Sequence, residues 1–170
     1  MAARLPPELS SALAERRCSI AAAAEGRILD LGGWSDHLDM YPEEPLLLEN
    51  LDELDGLDGE FDTIVSLVRT PLVVDLSVFI EGVVARLAPD GIIAFLEPTI
   101  RPGRTGDILR FGSRIQRAFG GLHLDRDIPN EFRDRKLFVT DLDRFEVASV
   151  AAPLRPFVAG RARRNRHTWG

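Results

Sequence analysis

A single cysteine, Cys18, stands among 170 residues. No internal disulfide can form from it, and no cysteine-based zinc site can be built. It falls in a predicted helix, where a free thiol behaves as a small apolar group rather than as a nucleophile. The three histidines, His37, His123 and His167, lack metal-ligand spacing, so no metal is expected. No apolar run reaches the roughly 20 residues that span a membrane. The longest, over residues 73–87, is interrupted by Asp75, Glu81 and Arg86. The N-terminus has no apolar core of a secretory leader and soon meets prolines and charges. These absences predict a cytoplasmic protein without a membrane partner. Bases are scarce where acids gather: between Asp30 and Asp75 the only Lys or Arg is Arg69. That acidic half argues against a phosphate backbone as partner and suits a cationic ligand.

What is present points to one folded domain over residues 1–170. Hydrophobic residues make up 45% of the chain, which excludes a disordered composition. A chain of this length buries a real core, and no repeat or low-complexity linker divides it. The last stretch, residues 161–170, is a basic tail with Arg161, Arg163, Arg164 and Arg166. A solvated terminus is the expectation there, with nucleic acid or acidic lipid as the alternative contact.

Helical and extended periods alternate along the chain. The alanine-rich stretch 9–24 predicts a helix stopped at Gly26, and residues 27–31 a short apolar strand ending in Gly32-Gly33. One helical turn fits residues 35–41 before Pro42 and Pro45. Residues 46–49 read as a short buried strand, 51–60 as a loop or poor helix, and 61–67 as a third strand. Over residues 73–87, Leu76, Phe79, Ile80, Val83, Val84 and Leu87 recur at helical spacing and form one apolar face. Pro89-Asp90-Gly91 signals a turn before a strand at 92–97. A helix is predicted at 107–119, a short one capped by Asp127 with Pro129 in its first turn, and strands at 137–147 and 157–162. The fold expected is α/β, a Rossmann-like three-layer sandwich of about six strands. Its sheet is mostly parallel, with a C-terminal antiparallel hairpin because the last two strands are joined by a short loop.

Four ordered stretches resemble the class I S-adenosylmethionine-dependent methyltransferases, over nearly the whole chain. The first is Gly26-Arg-Ile-Leu-Asp-Leu-Gly32, similar to that family's first strand, whose tip carries an acid and opens a glycine loop. The second runs over residues 46–62, with Asn50 at the usual aspartate near the adenine and Phe61-Asp62 opening the next strand. The third is Val83-Val-Ala-Arg-Leu-Ala-Pro-Asp-Gly91 and the strand ending in Glu97-Pro98. The fourth begins at Gly121-Leu-His-Leu-Asp-Arg-Asp127 and resembles the small-molecule branch related to ubiquinone/menaquinone- and thiol-methylating enzymes. The glycine loop departs from the family pattern. It reads Asp30-Leu-Gly32-Gly-Trp34-Ser-Asp36, keeps one of three glycines in register, and puts bulk and charge at Trp34 and Asp36. The family's second strand has no counterpart between Trp34 and Pro45; residues 46–49 can take its slot, which puts Glu49 where the ribose-binding acid belongs.

The resemblance implies S-adenosylmethionine as cofactor and a small-molecule methyl acceptor. Asp30, Gly32, Gly33, Glu49, Asn50, Leu51, Ser66 and Leu67 would hold the cofactor, at the carboxyl ends of the strands where such crevices lie. Plain turn roles remain open for Asp30, the two glycines and Asn50. His123 is the general-base candidate, with Asp125 to orient it; a hydrogen-bonded structural histidine is the competing reading. Trp34, His37 and Arg69 are expected to line the acceptor side, or, for Trp34, to pack in the core. The rival function is a catalytically inactive methyltransferase-fold protein serving as a partner or regulatory subunit. It would have Trp34 or another side chain in the crevice, and homodimerise or bind a protein where the missing strand leaves an uncovered edge. A nicotinamide-binding oxidoreductase is disfavoured because the G-x-G-x-x-G fingerprint is absent.

Overall fold

Strand β3, Phe61–Leu67, is buried at nearly every position, because helices cover both faces of the sheet in which it is central. Side chains alternate between two cores. Ile64 faces one, with Ile93 and Phe95; Val65 and Leu67 face the other, with Ala94 and Leu96. The computed structural model describes residues 5–101 and 120–164. Its strands are β1 (Ile28–Asp30), β2 (Leu46–Leu47), β3, β4 (Leu87–Pro98), β5 (Leu137–Glu146) and β6 (Pro156–Arg164), in the order β2-β1-β3-β4-β6-β5. The first four pair in parallel, and β6 runs antiparallel to both β4 and β5. The predicted mixed sheet of six strands is the observed one.

Helix α1 (Glu8–Ala22) buries Leu9, Leu13, Arg17 and Ala21 on one face of the sheet, against Val65, Leu67 and Leu96. Helix α2 (Leu76–Ala85) buries Leu76, Phe79, Ile80 and Val83 on the other, each contributing roughly 2 kcal/mol of apolar burial. It begins later than the residue-73 start expected, because Asp75 accepts from Val78 N at 3.1 Å and caps it, while Thr70–Leu72 forms a separate 3₁₀ turn. Helix α3 (Ile128–Asp134) is capped by Asp127 and carries Pro129 in its first turn, as the sequence predicts. Its Phe132 ring lies 5.0 Å from that of Phe95.

Three expectations need correction. Residues 46–49 were expected as a buried strand, yet Leu46 and Leu47 are exposed. They form the sheet edge, and only 3₁₀ turns, Leu38–Met40 and Leu51–Gly56, flank them where helices would give cover. The Pro89-Asp90-Gly91 turn is absorbed into β4 as an irregularity: Phe61 pairs with Leu87 but Thr63 with Ile92. The basic tail does not begin free at residue 161, since β6 runs to Arg164. Arg163 stacks over Phe138, and Arg164 donates to the carbonyls of Val84 and Leu87. The helix expected at 107–119 lies outside the described residues. Among the described residues no helix is long and apolar enough to cross a membrane.

Candidate functional site

The chain leaves β1 towards β2 on one side and returns to β3 on the other. Loops therefore part over the carboxyl ends of β1 and β3, the switch point where α/β sheets bind ligands. Asp30 ends β1 and is fully buried beneath this point. Its Oδ1 accepts from Gly32 N at 2.7 Å, and its Oδ2 accepts the Tyr41 hydroxyl at 2.7 Å and lies 2.7 Å from His37 Nε2. Burial, then the Asp30 charge, push the Tyr41 phenol far above its ordinary pKa, so it remains a donor. Asp30 thus props the loop from below, and His37 is fully buried with it. A buried carboxylate needs such partners, and the three-residue set meets that need.

Above Asp30 the loop is filled by the chain itself. Gly32 has φ +76°, and a Cβ there would sit 2.4 Å from the Leu48 carbonyl oxygen. That glycine makes room for the strand-ward backbone of residues 48–49. At Gly33, φ +96°, a Cβ would meet Arg69 Nη1 at 2.5 Å, so the guanidinium lies on the loop surface. Trp34 spans the switch point, its indole N–H donating to the Leu67 carbonyl at 3.0 Å. Asp36 does not bring its charge into this space. It turns back to Arg17 of α1, whose guanidinium also stacks on Trp34 at 4.1 Å.

Two residues that sequence reasoning did not single out for the site shape its floor. Glu97, at the end of β4, is fully buried and accepts four hydrogen bonds. Ser66 Oγ donates at 2.6 Å, Thr70 Oγ1 at 2.7 Å, and the backbone N–H groups of Arg69 and Thr70 at 3.1 Å each. This carboxylate organises the turn that carries Arg69, where Val68 adopts φ 56°. Burial pushes the Glu97 carboxyl up to about 7, against the four donors that favour the anion. Arg126 clamps the same segment from the other side by donating to the carbonyls of Thr70, Val73 and Val74. A lone acid closing an apolar strand was the available signal for Glu97. Arg126 had none, because its partners are backbone carbonyls.

Among the described residues, two cavities open on this platform and share Arg69 and Leu72 as walls. The larger, 560 Å³, is bounded by Glu49, Asn50 and Leu51 on one side and by Val73, Val78 and Phe79 on the other. The smaller, 320 Å³, lies between the segment Leu5-Pro6-Pro7 and Gly33, Trp34. The structure therefore brings Glu49, Asn50, Leu51 and Arg69 to the larger cavity, and Gly33, Trp34 and Arg69 to the smaller. Asp30, Gly32, Ser66, Leu67 and His37 are buried behind these walls. Ser66 is committed to Glu97, and the Leu67 carbonyl to Trp34. His123 is half-buried next to the shared wall, its backbone N–H donating to the Pro71 carbonyl at 2.9 Å. Burial first, then the Arg126 guanidinium, hold its imidazolium below the ordinary pKa, with exposed Asp125 opposing, so the neutral ring prevails near pH 7.

No family model matches the chain, and no curated protein matches it in sequence. Solved structures do match. The N-methyltransferase NodS from Bradyrhizobium japonicum is similar with a TM-score of 0.59 at 12% identity, over 94% of this chain and 99% of that one. A SAM-dependent methyltransferase from Thermotoga maritima gives 0.59 at 12% identity, over 93% and 91%. This chain has the methyltransferase fold. NodS is also known in complex with S-adenosyl-L-homocysteine, and that structure matches with a TM-score of 0.52 at 13% identity, over 93% of this chain and 88% of that one. The residues present fit the nucleoside end of such a ligand: an acid, Glu49, follows β2, and apolar Leu51 and Phe79 line the larger cavity. At the amino-acid end, the Gly33 surface is covered by Arg69, whose long side chain must move for a ligand to reach it.

Proposed function

We propose that this chain is an S-adenosylmethionine-dependent methyltransferase acting on a small molecule. The observation that carries the reading is the pair of cavities meeting at Arg69 and Leu72, on a methyltransferase fold. Two adjoining sites with a shared wall are what transfer between two bound molecules needs, since most of the catalysis lies in positioning. Glu49 would take the ribose hydroxyls, and Asn50, Leu51 and Phe79 would flank the base. The bound cofactor supplies an electrophilic methyl group. His123, neutral near pH 7 and beside the shared wall, would take up the proton that an acceptor loses, with Asp125 to orient it. Titration calorimetry with S-adenosylmethionine and S-adenosylhomocysteine tests this. Micromolar binding, weakened at least tenfold in Glu49→Ala, is the expected result.

One observation favours a second reading, in which the chain is a non-catalytic partner or regulatory subunit, alone or as a homodimer. Trp34 stands at a position where the methyltransferase pattern keeps a glycine, and Arg69 covers the adjoining Gly33. A similar structure is a complex between a methyltransferase activator from Haloferax volcanii and a methyltransferase, so the fold does engage protein partners. Absence of binding by folded protein in the same titration would select this reading.

A further inference from the structure

Among the described residues, Arg69 is one of several arginines with a buried nitrogen that lacks an acceptor, and it is the one that lines both cavities. It is 8% exposed, and its Nε has no hydrogen-bond partner. Two carboxylates lie near enough to act on it through charge, Glu97 and Asp30. Neither accepts a hydrogen bond from the Arg69 guanidinium. Glu97 spends its oxygens on Ser66, Thr70 and two backbone N–H groups, and Asp30 spends its own on Gly32, Tyr41 and His37. A buried guanidinium N–H without an acceptor is costly, and where the guanidinium also lines a cavity a carboxylate matches it in shape and charge.

The smaller cavity shows what would carry that carboxylate. Apart from Arg69, its described lining has no charged side chain: Leu5, Pro6, Pro7, Trp34 and Leu72 with Gly33. Such a wall takes an apolar body, and the Trp34 indole adds aromatic surface to it. Its 320 Å³ is enough for a single-ring acid. The acids Asp52, Asp55 and Asp75 belong to the larger cavity, so an anion is repelled there and accepted here. We infer that the cavity between Leu5-Pro6-Pro7 and Trp34 binds a small, apolar, carboxylate-bearing molecule whose carboxylate pairs with Arg69.

Naming this ligand the methyl acceptor rests on the function proposed above; its binding does not. The charge logic links the two. A cationic sulfonium beside the Arg69 guanidinium is repelled, and a carboxylate on Arg69 lessens that repulsion. Acid and cofactor would then favour each other's binding, and reciprocally so.

Benzoate and its neutral counterpart benzamide are suitable probes, titrated into the full chain by calorimetry. Saturable benzoate binding at one site, with benzamide at least tenfold weaker, is expected. Arg69→Gln should weaken benzoate at least tenfold and leave benzamide unchanged, while Arg69→Lys keeps part of the benzoate affinity. Equal binding of the two probes, or no benzoate binding, overturns the inference, and that comparison uses the unsubstituted chain, so it stands even if a variant fails to fold. S-adenosylhomocysteine is titrated separately. Its binding without benzoate binding overturns this inference and leaves the methyltransferase reading intact. Benzoate binding without S-adenosylhomocysteine binding upholds the acid site and removes the name acceptor from its ligand.

Discussion

Replacing Gly32 by alanine separates two roles for a glycine in a degenerate loop. If Gly32 serves ligand approach, Gly32→Ala costs affinity and little stability. The structure argues otherwise. The residue sits at φ +76°, where an alanine costs about 1–2 kcal/mol. The added Cβ would also lie 2.4 Å from the Leu48 carbonyl oxygen and 3.3 Å from its carbon. Both are backbone atoms of the segment just after β2, tied to β1 by the Leu48 N–H donating to the Asp30 carbonyl at 2.8 Å. They cannot swing aside, so overpacking adds about 1–3 kcal/mol. The sum, about 2–5 kcal/mol, is a large part of a domain's stability. For a chain of this size it lowers Tm by roughly 5–15 °C. Gly33→Ala is the internal control. It carries backbone strain as well, at φ +96°, but its Cβ meets the end of the flexible Arg69 side chain, which can move. Thermal unfolding followed by circular dichroism, without ligand, should rank Gly32→Ala well below Gly33→Ala. A Gly32→Ala protein melting within a degree of the unsubstituted chain would refute the packing argument.

The buried Glu97 predicts a pH dependence with a definite sign. Its folded pKa of about 7 lies above the ordinary 4.5, so the folded chain holds the proton that the unfolded chain releases. The resulting stability is fully present below about pH 4.5 and is lost as pH rises to about 7, amounting to about 3 kcal/mol. Urea midpoints across that window should fall with rising pH, and Glu97→Gln should flatten the slope. At α3, Asp127→Ala removes the cap that accepts from Asn130 N and should cost about 1 kcal/mol in the same urea assay, without affecting ligand binding.

The sequence determined by itself whatever depends on local period and local chemistry. Residues 61–67 read as a strand, and they are β3 residue for residue. The spacing of Leu76, Phe79, Ile80 and Val83 fixed the buried face of α2, and Asp127 with Pro129 fixed the start of α3. The short link before the last strand fixed the antiparallel hairpin. Even the placement of residues 46–49 beside β1 was legible, because a vacant slot and a crossover of about a dozen residues allow it. The site was legible only as a neighbourhood. Whether Asp30 and His37 face a ligand or each other depends on which side chains meet across residues 30–41, and the fold turned them inward together with Tyr41. Whether Asp36 enters the loop depends on Arg17, nineteen positions earlier, which α1 carries over the sheet. Glu97 and Arg126 became site residues only when tertiary packing brought β4 and the segment before α3 against the turn at residues 70–72. Burial and pairing are properties of contacts between distant segments, and no local pattern encodes which carboxylate will find its donors and which guanidinium will be left without an acceptor.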